Sequence, residues 1–105
     1  MAVRLIVLYS PPDDSAAFDA HYRDVHTPIV QRYPGLRDVR LTRPSGVAGR
    51  DPAFYLVAEM TFDSRDALEA ALASEAGRES GMDLRNFAGA GVTMLIADDE
   101  ATFDA

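Results

Sequence analysis

The chain contains no cysteine, and none of its basic residues is a lysine. The first absence removes disulfides, thiolate nucleophiles, zinc ribbons and iron–sulfur clusters. The second removes a lysine Schiff base, and with it pyridoxal chemistry of the usual kind. No apolar run approaches the roughly 20 residues of a membrane span, and no charged-then-apolar leader with a cleavage site is visible. The expectation is a cytoplasmic protein with no membrane partner. Basic charge is also scarce: the net charge is −7. Nucleic acid is therefore not an expected partner, because phosphate binding needs a basic stripe.

What remains is ordinary globular material, 48% apolar and 26% charged over 105 residues. That is enough for one core and too little for two, so residues 1–105 are read as a single domain. Residues 98–105, DDEATFDA, are read as a solvated acidic tail.

The pattern along the chain predicts four strands and two main helices. VRLIVLYS, residues 3–10, is a strand that stops at Pro11-Pro12. Asp13 or Asp14 then caps a helix of about five turns, whose Phe18, Tyr22, Val25, Ile29 and Tyr33 recur on one face until Pro34-Gly35 ends it. Residues 36–43 alternate as a half-exposed strand, and a turn-rich stretch, 44–52, leads to a third strand, FYLVAEMTF, over 54–62. Asp63-Ser64 opens a second helix with Leu68, Ala71 and Leu72 on its buried stripe, weakened at its end by Gly77 and Gly81. Residues 82–87 read as an irregular turn or short extra helix before a fourth strand at 92–97. Two β-α-β halves with right-handed crossovers give an α+β, ferredoxin-like β-α-β-β-α-β fold. Its antiparallel sheet has the order 4-1-3-2, with both helices on one face.

Both sheet faces read as dry. Strand one has six apolar residues in eight and strand three has seven in nine, whereas helices cover a single face. A second copy across a two-fold axis is the expected cover, a homodimer through the sheet face. Arg4, Ile6, Leu8, Tyr55, Val57, Glu59 and Thr61 are assigned to that face, with an Arg4–Glu59 cross-strand pair satisfying the lone carboxylate.

Chemistry concentrates on the first helix. His21 and His26 are five residues apart, about 140° around an α-helix, and so cannot share a metal from one face. No metal site is expected. Tyr22 and His26 are neighbours at i, i+4. Pro28 cannot donate to the Asp24 carbonyl and disfavours helical geometry at Thr27, so a kink should open space beside His26 and poise its imidazole. The same residues also fit a helix kinked only for packing. Axial distances place His26 over Val3 and Leu5, with Tyr22, Ile29, Met60 and Phe62 completing an apolar pocket. Asp83, Asn86 and Phe87 fall near Tyr9 at the opposite end of the sheet, which argues against a catalytic pairing of Asp83 with His26. Arg37, Arg40 and Arg43 guard an edge strand. Gly89-Ala90-Gly91 leads into a strand rather than a helix and is no phosphate loop.

Three segments, VLYSPPDDSAAFDAHYRDVHTPIVQRYPGLR, FYLVAEMTFDSRDALEAALASEAGRES and MDLRNFAGAGVTMLI, together resemble the EthD family of dimeric α+β barrel proteins. The marks are His21-Tyr22 followed by His26-Thr27-Pro28, the turn Tyr33-Pro34-Gly35-Leu36, Phe62-Asp63-Ser64, and Asp83-Leu84 with Asn86-Phe87. The resemblance implies a ferredoxin-like fold and a dimer through the sheets. It also implies chemistry without metal or organic cofactor: isomerisation of methylmuconolactones, decarboxylation or dehydration of aromatic and polyketide-like compounds, or an undefined role in ether degradation. The name reductase is sometimes attached to such chains, but no nucleotide-binding signature is present here. By resemblance His26 is a catalytic or binding residue. The expected protein is a cofactor-free lyase or isomerase acting on a small cyclic or aromatic acid or ketone. His26 is its acid/base and Tyr22 its orienting hydroxyl, and Val3, Leu5, Ile29, Met60 and Phe62 contact the substrate. A non-catalytic carrier or accessory protein, and a heme- or oxygen-using relative, are the alternatives.

Overall fold

The computed structural model describes residues 2–105, so residue 1 of the expected domain lies outside it. Four strands form one antiparallel sheet: β1 (Val3–Tyr9), β2 (Asp38–Thr42), β3 (Leu56–Phe62) and β4 (Val92–Asp98), in the spatial order β2-β3-β1-β4. This is the expected order 4-1-3-2 read from the other edge. The pairings Leu5↔Met60 and Leu5↔Ile96 set the register of the centre.

Alternation decides the faces of the two central strands. Val3, Leu5, Val7 and Tyr9 of β1, with Leu56, Ala58, Met60 and Phe62 of β3, are buried beneath the helices, and the residues between them are only partly covered. Arg4, Ile6, Leu8, Val57, Glu59 and Thr61 thus lie on the outer face as expected, and Arg4 Nη1 stands 3.6 Å from Glu59 Oε2. Tyr55 does not. It precedes β3, where the strand alternation no longer applies, and its hydroxyl donates to Asp19 on the helical side at 2.9 Å.

Helix α1 (Ser15–His21) starts at Asp14, whose side chain accepts the Ala17 N–H at 3.0 Å. The helix then widens into a π turn (Tyr22–His26) and resumes as α2 (Thr27–Val30). Pro28 has no N–H for the Asp24 carbonyl, and the wider turn absorbs that defect where a sharp kink was expected. Thr27 also keeps helical angles (φ −57°, ψ −45°) in spite of the proline after it. Its N–H and its hydroxyl both go to the Tyr22 carbonyl, the latter at 2.9 Å, which holds it there. Gly35, at φ 74°, turns the chain away after Tyr33-Pro34.

Of the irregular turn or short extra helix expected over residues 82–87, the structure has a helix, but one that starts at residue 75. After α3 (Arg65–Ala73), Ser74 caps α4 (Glu75–Phe87), accepting the Gly77 N–H at 3.1 Å. Gly77 and Gly81 therefore lie inside α4, and Gly77 is required there: a Cβ would sit 2.3 Å from the Ala71 carbonyl oxygen. Three helices, α1–α2 taken as one, cover one face of the sheet. Asp98, placed in the tail by the sequence pattern, ends β4; the residues beyond it are exposed, and Asp99 accepts from Arg4 at 2.7 Å.

Candidate functional site

The π turn changes which residues share a helical face. Its i→i+5 ring brings residues five apart into line, so His21 and His26, on opposite margins of an α-helix, converge on one partner. That partner is Asp83. His26 Nδ1 lies 2.9 Å from Asp83 Oδ2, and His21 Nε2 lies 2.9 and 3.0 Å from Oδ1 and Oδ2. Asn86, one turn along α4, donates to Oδ1 at 2.9 Å. The expectation that speaks against a pairing of Asp83 with His26 is therefore overturned. Phe87 packs against Tyr9 with ring centroids at 5.6 Å, so this segment does lie near Tyr9 as expected; it is His26 that sits further toward Tyr9 than the level of Val3 and Leu5, and the π turn swings its imidazole toward Asp83.

The group is dry: His26 is 4% exposed and Asp83 6%. The His26 ring packs between Tyr22 and Phe87, with centroids at 5.2 and 4.8 Å. Burial lowers the His26 pKa below 6.5, and the Asp83 charge offsets only part of that. Burial pushes the Asp83 carboxyl up, but the bonds from Asn86, His21 and His26 together outweigh it and hold the group below 3.8. At neutral pH this makes an ionised carboxylate facing a neutral imidazole. An ionised carboxylate only accepts, so His26 Nδ1 carries the proton and Nε2 keeps its lone pair. Burial likewise pushes the Tyr22 hydroxyl up to about 12, so it stays protonated.

His26 lines a cavity of about 150 Å³ between helices and sheet. Leu5, Val7 and Met60 form its floor, Leu84 its roof, and half-exposed Met94 on β4 its edge. Tyr33 and Ser80, hydrogen-bonded to one another, add a polar patch to the wall. Of the predicted pocket residues, Leu5 and Met60 are in place. Val3, Ile29 and Phe62 are buried in the core away from this cavity. Tyr22 touches His26 by its ring and lines a separate surface groove with Asp19, Leu41 and Arg43. The bond that orients the imidazole comes from Asp83, not from the Tyr22 hydroxyl. The pocket is displaced from the Val3 end toward Tyr9, because the helix that carries His26 is interrupted by the π turn and is not a continuous α-helix lying along β1.

Asp83 and His21 are the site residues that sequence reasoning missed. Asp83 and Asn86, three apart, share a helix face. That signal is readable only once residues 75–87 are recognised as one helix.

The family model described as EthD domain matches residues 10–103. The crystal structure of an ethyl tert-butyl ether d (ethd) family protein from Bacillus halodurans is 40% identical with TM-score 0.89, over 95% of this chain and 100% of that one. An uncharacterized 11.0 kDa protein in the thcB-thcC intergenic region of Rhodococcus erythropolis is 37% identical, over 92% of this chain and 94% of that protein. At 19% identity, SnoaB, a cofactor-independent oxygenase from Streptomyces nogalater, shares the fold with TM-score 0.72, over 99% and 98% of the two chains.

Proposed function

The chain belongs to the EthD family, and from that premise we propose that it is a cofactor-free lyase or isomerase for a small cyclic, aromatic or polyketide-like acid or ketone. The observation that carries this reading is His26, bonded through Nδ1 to buried Asp83 while its ring lines an apolar cavity.

A neutral imidazole in a dry site is a usable base at neutral pH, and its depressed pKa keeps it unprotonated there. Nε2 takes a proton from carbon or oxygen of the ligand, the ring becomes an imidazolium, and Asp83 stabilises that charge through the Nδ1–H bond. The imidazolium then returns the proton to a different atom, which isomerises the ligand or expels a leaving group. A cavity of about 150 Å³ takes one ring of benzene size. The Tyr33–Ser80 pair offers hydroxyls to a carbonyl or carboxylate. Tyr22 braces the imidazole by ring packing. The working unit is a homodimer joined through the outer sheet face.

The test is incubation of the purified protein with a panel of such acids and ketones, followed by product analysis. One class should be converted, and His26→Ala should lower its turnover about 10²–10⁴-fold. A folded His26→Ala variant with full turnover overturns the acid/base role. A ligand bound but recovered unchanged supports the carrier reading instead.

A further inference from the structure

Asp83 stands between two openings. His26 lines the small cavity, whereas His21 lines a wider hollow of about 380 Å³ with Phe18, Asn86, Phe87 and Gly89. The His21 side chain is 24% exposed and that of His26 5%. Phe87 separates the two rings, stacked on His21 at 5.1 Å and tilted against His26 at 4.8 Å. One carboxylate thus joins a wetted imidazole to a dry one.

We infer that His21 is a positioning residue for His26: it holds the Asp83 carboxylate in the orientation that meets Nδ1. This rests on the acid/base reading of His26. The His21 Nε2 proton is shared between both carboxylate oxygens, at 2.9 and 3.0 Å, which opposes rotation of the group. Asn86 completes Oδ1, and the remaining strong contact of Oδ2 is His26 Nδ1 at 2.9 Å.

Asp13 and Asp14 lie at the rim of the same hollow, and Asp14 is engaged by the Ala17 N–H. Among the described residues Asp83 is the one acid hydrogen-bonded to both imidazoles.

With only two histidines in the chain, ring-¹⁵N NMR of the full-length protein resolves both. In the wild type the Nδ1–H tautomer of His26 should dominate. In His21→Gln the amide still donates to Asp83, so that tautomer should persist. In His21→Leu the donor is gone, and the Nδ1–H tautomer should no longer dominate. An unchanged His26 tautomer in His21→Leu, or its loss in His21→Gln, overturns the inference. The measurement needs no substrate, so its failure is distinct from that of the proposed activity, which the His26→Ala assay decides.

Discussion

Asp83 illustrates how a buried charge is tolerated in a chain of this size. Three side chains donate to it, His21, His26 and Asn86, each at 2.9 Å at nearest approach, and a carboxylate so surrounded stays ionised. Replacing it with Asn keeps the shape but presents an amide that can offer Nδ2–H toward His26, which favours the other tautomer. Asp83→Asn should therefore abolish the Nδ1–H tautomer by ¹⁵N NMR and cut turnover of any identified substrate by roughly 10³–10⁴-fold. Stability should depend on pH in two windows. His26 has a folded pKa below its unfolded value of 6.5, so the unfolded chain binds the proton first. Stability is complete above 6.5 and falls as pH drops from there through the folded value. Asp83, held below 3.8, adds a second loss as pH falls beneath that value. Urea midpoints measured from pH 8 to 5 should decline in the wild type and decline less in His26→Gln.

At the scale of elements, the site depends on two departures from regular helix. The π turn at Tyr22–His26 aligns the two histidines, and the tight corner at Ser74 lets α4 run back beside α1. That corner is packed without slack. A methyl group at residue 77 would lie 2.3 and 2.4 Å from the Ala71 and Leu72 carbonyl oxygens, which are backbone and cannot rotate aside. Gly77→Ala should cost about 2–3 kcal/mol, read as a lower urea midpoint, whereas Gly81→Ala, where nothing lies within 4 Å, should be neutral or stabilising. The same corner hides the full length of helix α4 from the sequence pattern. Its two glycines and its short gap from α3 look like the fraying of one helix, and only packing against α1 and α2 makes it a separate element.

The whole molecule is thin, 42 × 35 × 17 Å, because it has a helical layer and a sheet layer but nothing on the other side of the sheet. Its radius of gyration, 14.5 Å, exceeds the roughly 13 Å expected of a compact domain of this length. Leu95, 51% exposed on β4, stands beside Ile6 on the open face, with Leu8 and Val57 nearby. An apolar sheet face of this kind calls for a second copy. Leu95→Glu should weaken the dimer at least about ten-fold in Kd, measured by sedimentation equilibrium. A wild-type protein that sediments as a monomer at high concentration would refute the dimer.

Alternation within VRLIVLY and LVAEMTF was sufficient to assign the faces of both central strands. The Arg4–Glu59 pair followed from it, because strand periodicity is local and ladder register carries it across the sheet. His26 was legible for a similar reason, since Pro28 announces a helical defect two residues away. Its partners were not. His21 joins only through a π turn that α-helical geometry forbids it to imitate, and Asp83 comes from 57 residues further along the chain. Burial completes the site, for the Asp83 carboxylate and the His26 imidazole acquire their protonation states only when three helices close over the sheet. Sequence by itself determined the sheet, its order and the histidine; the tertiary structure decided what that histidine is bonded to, because contacts between distant segments depend on how helices pack and not on local pattern.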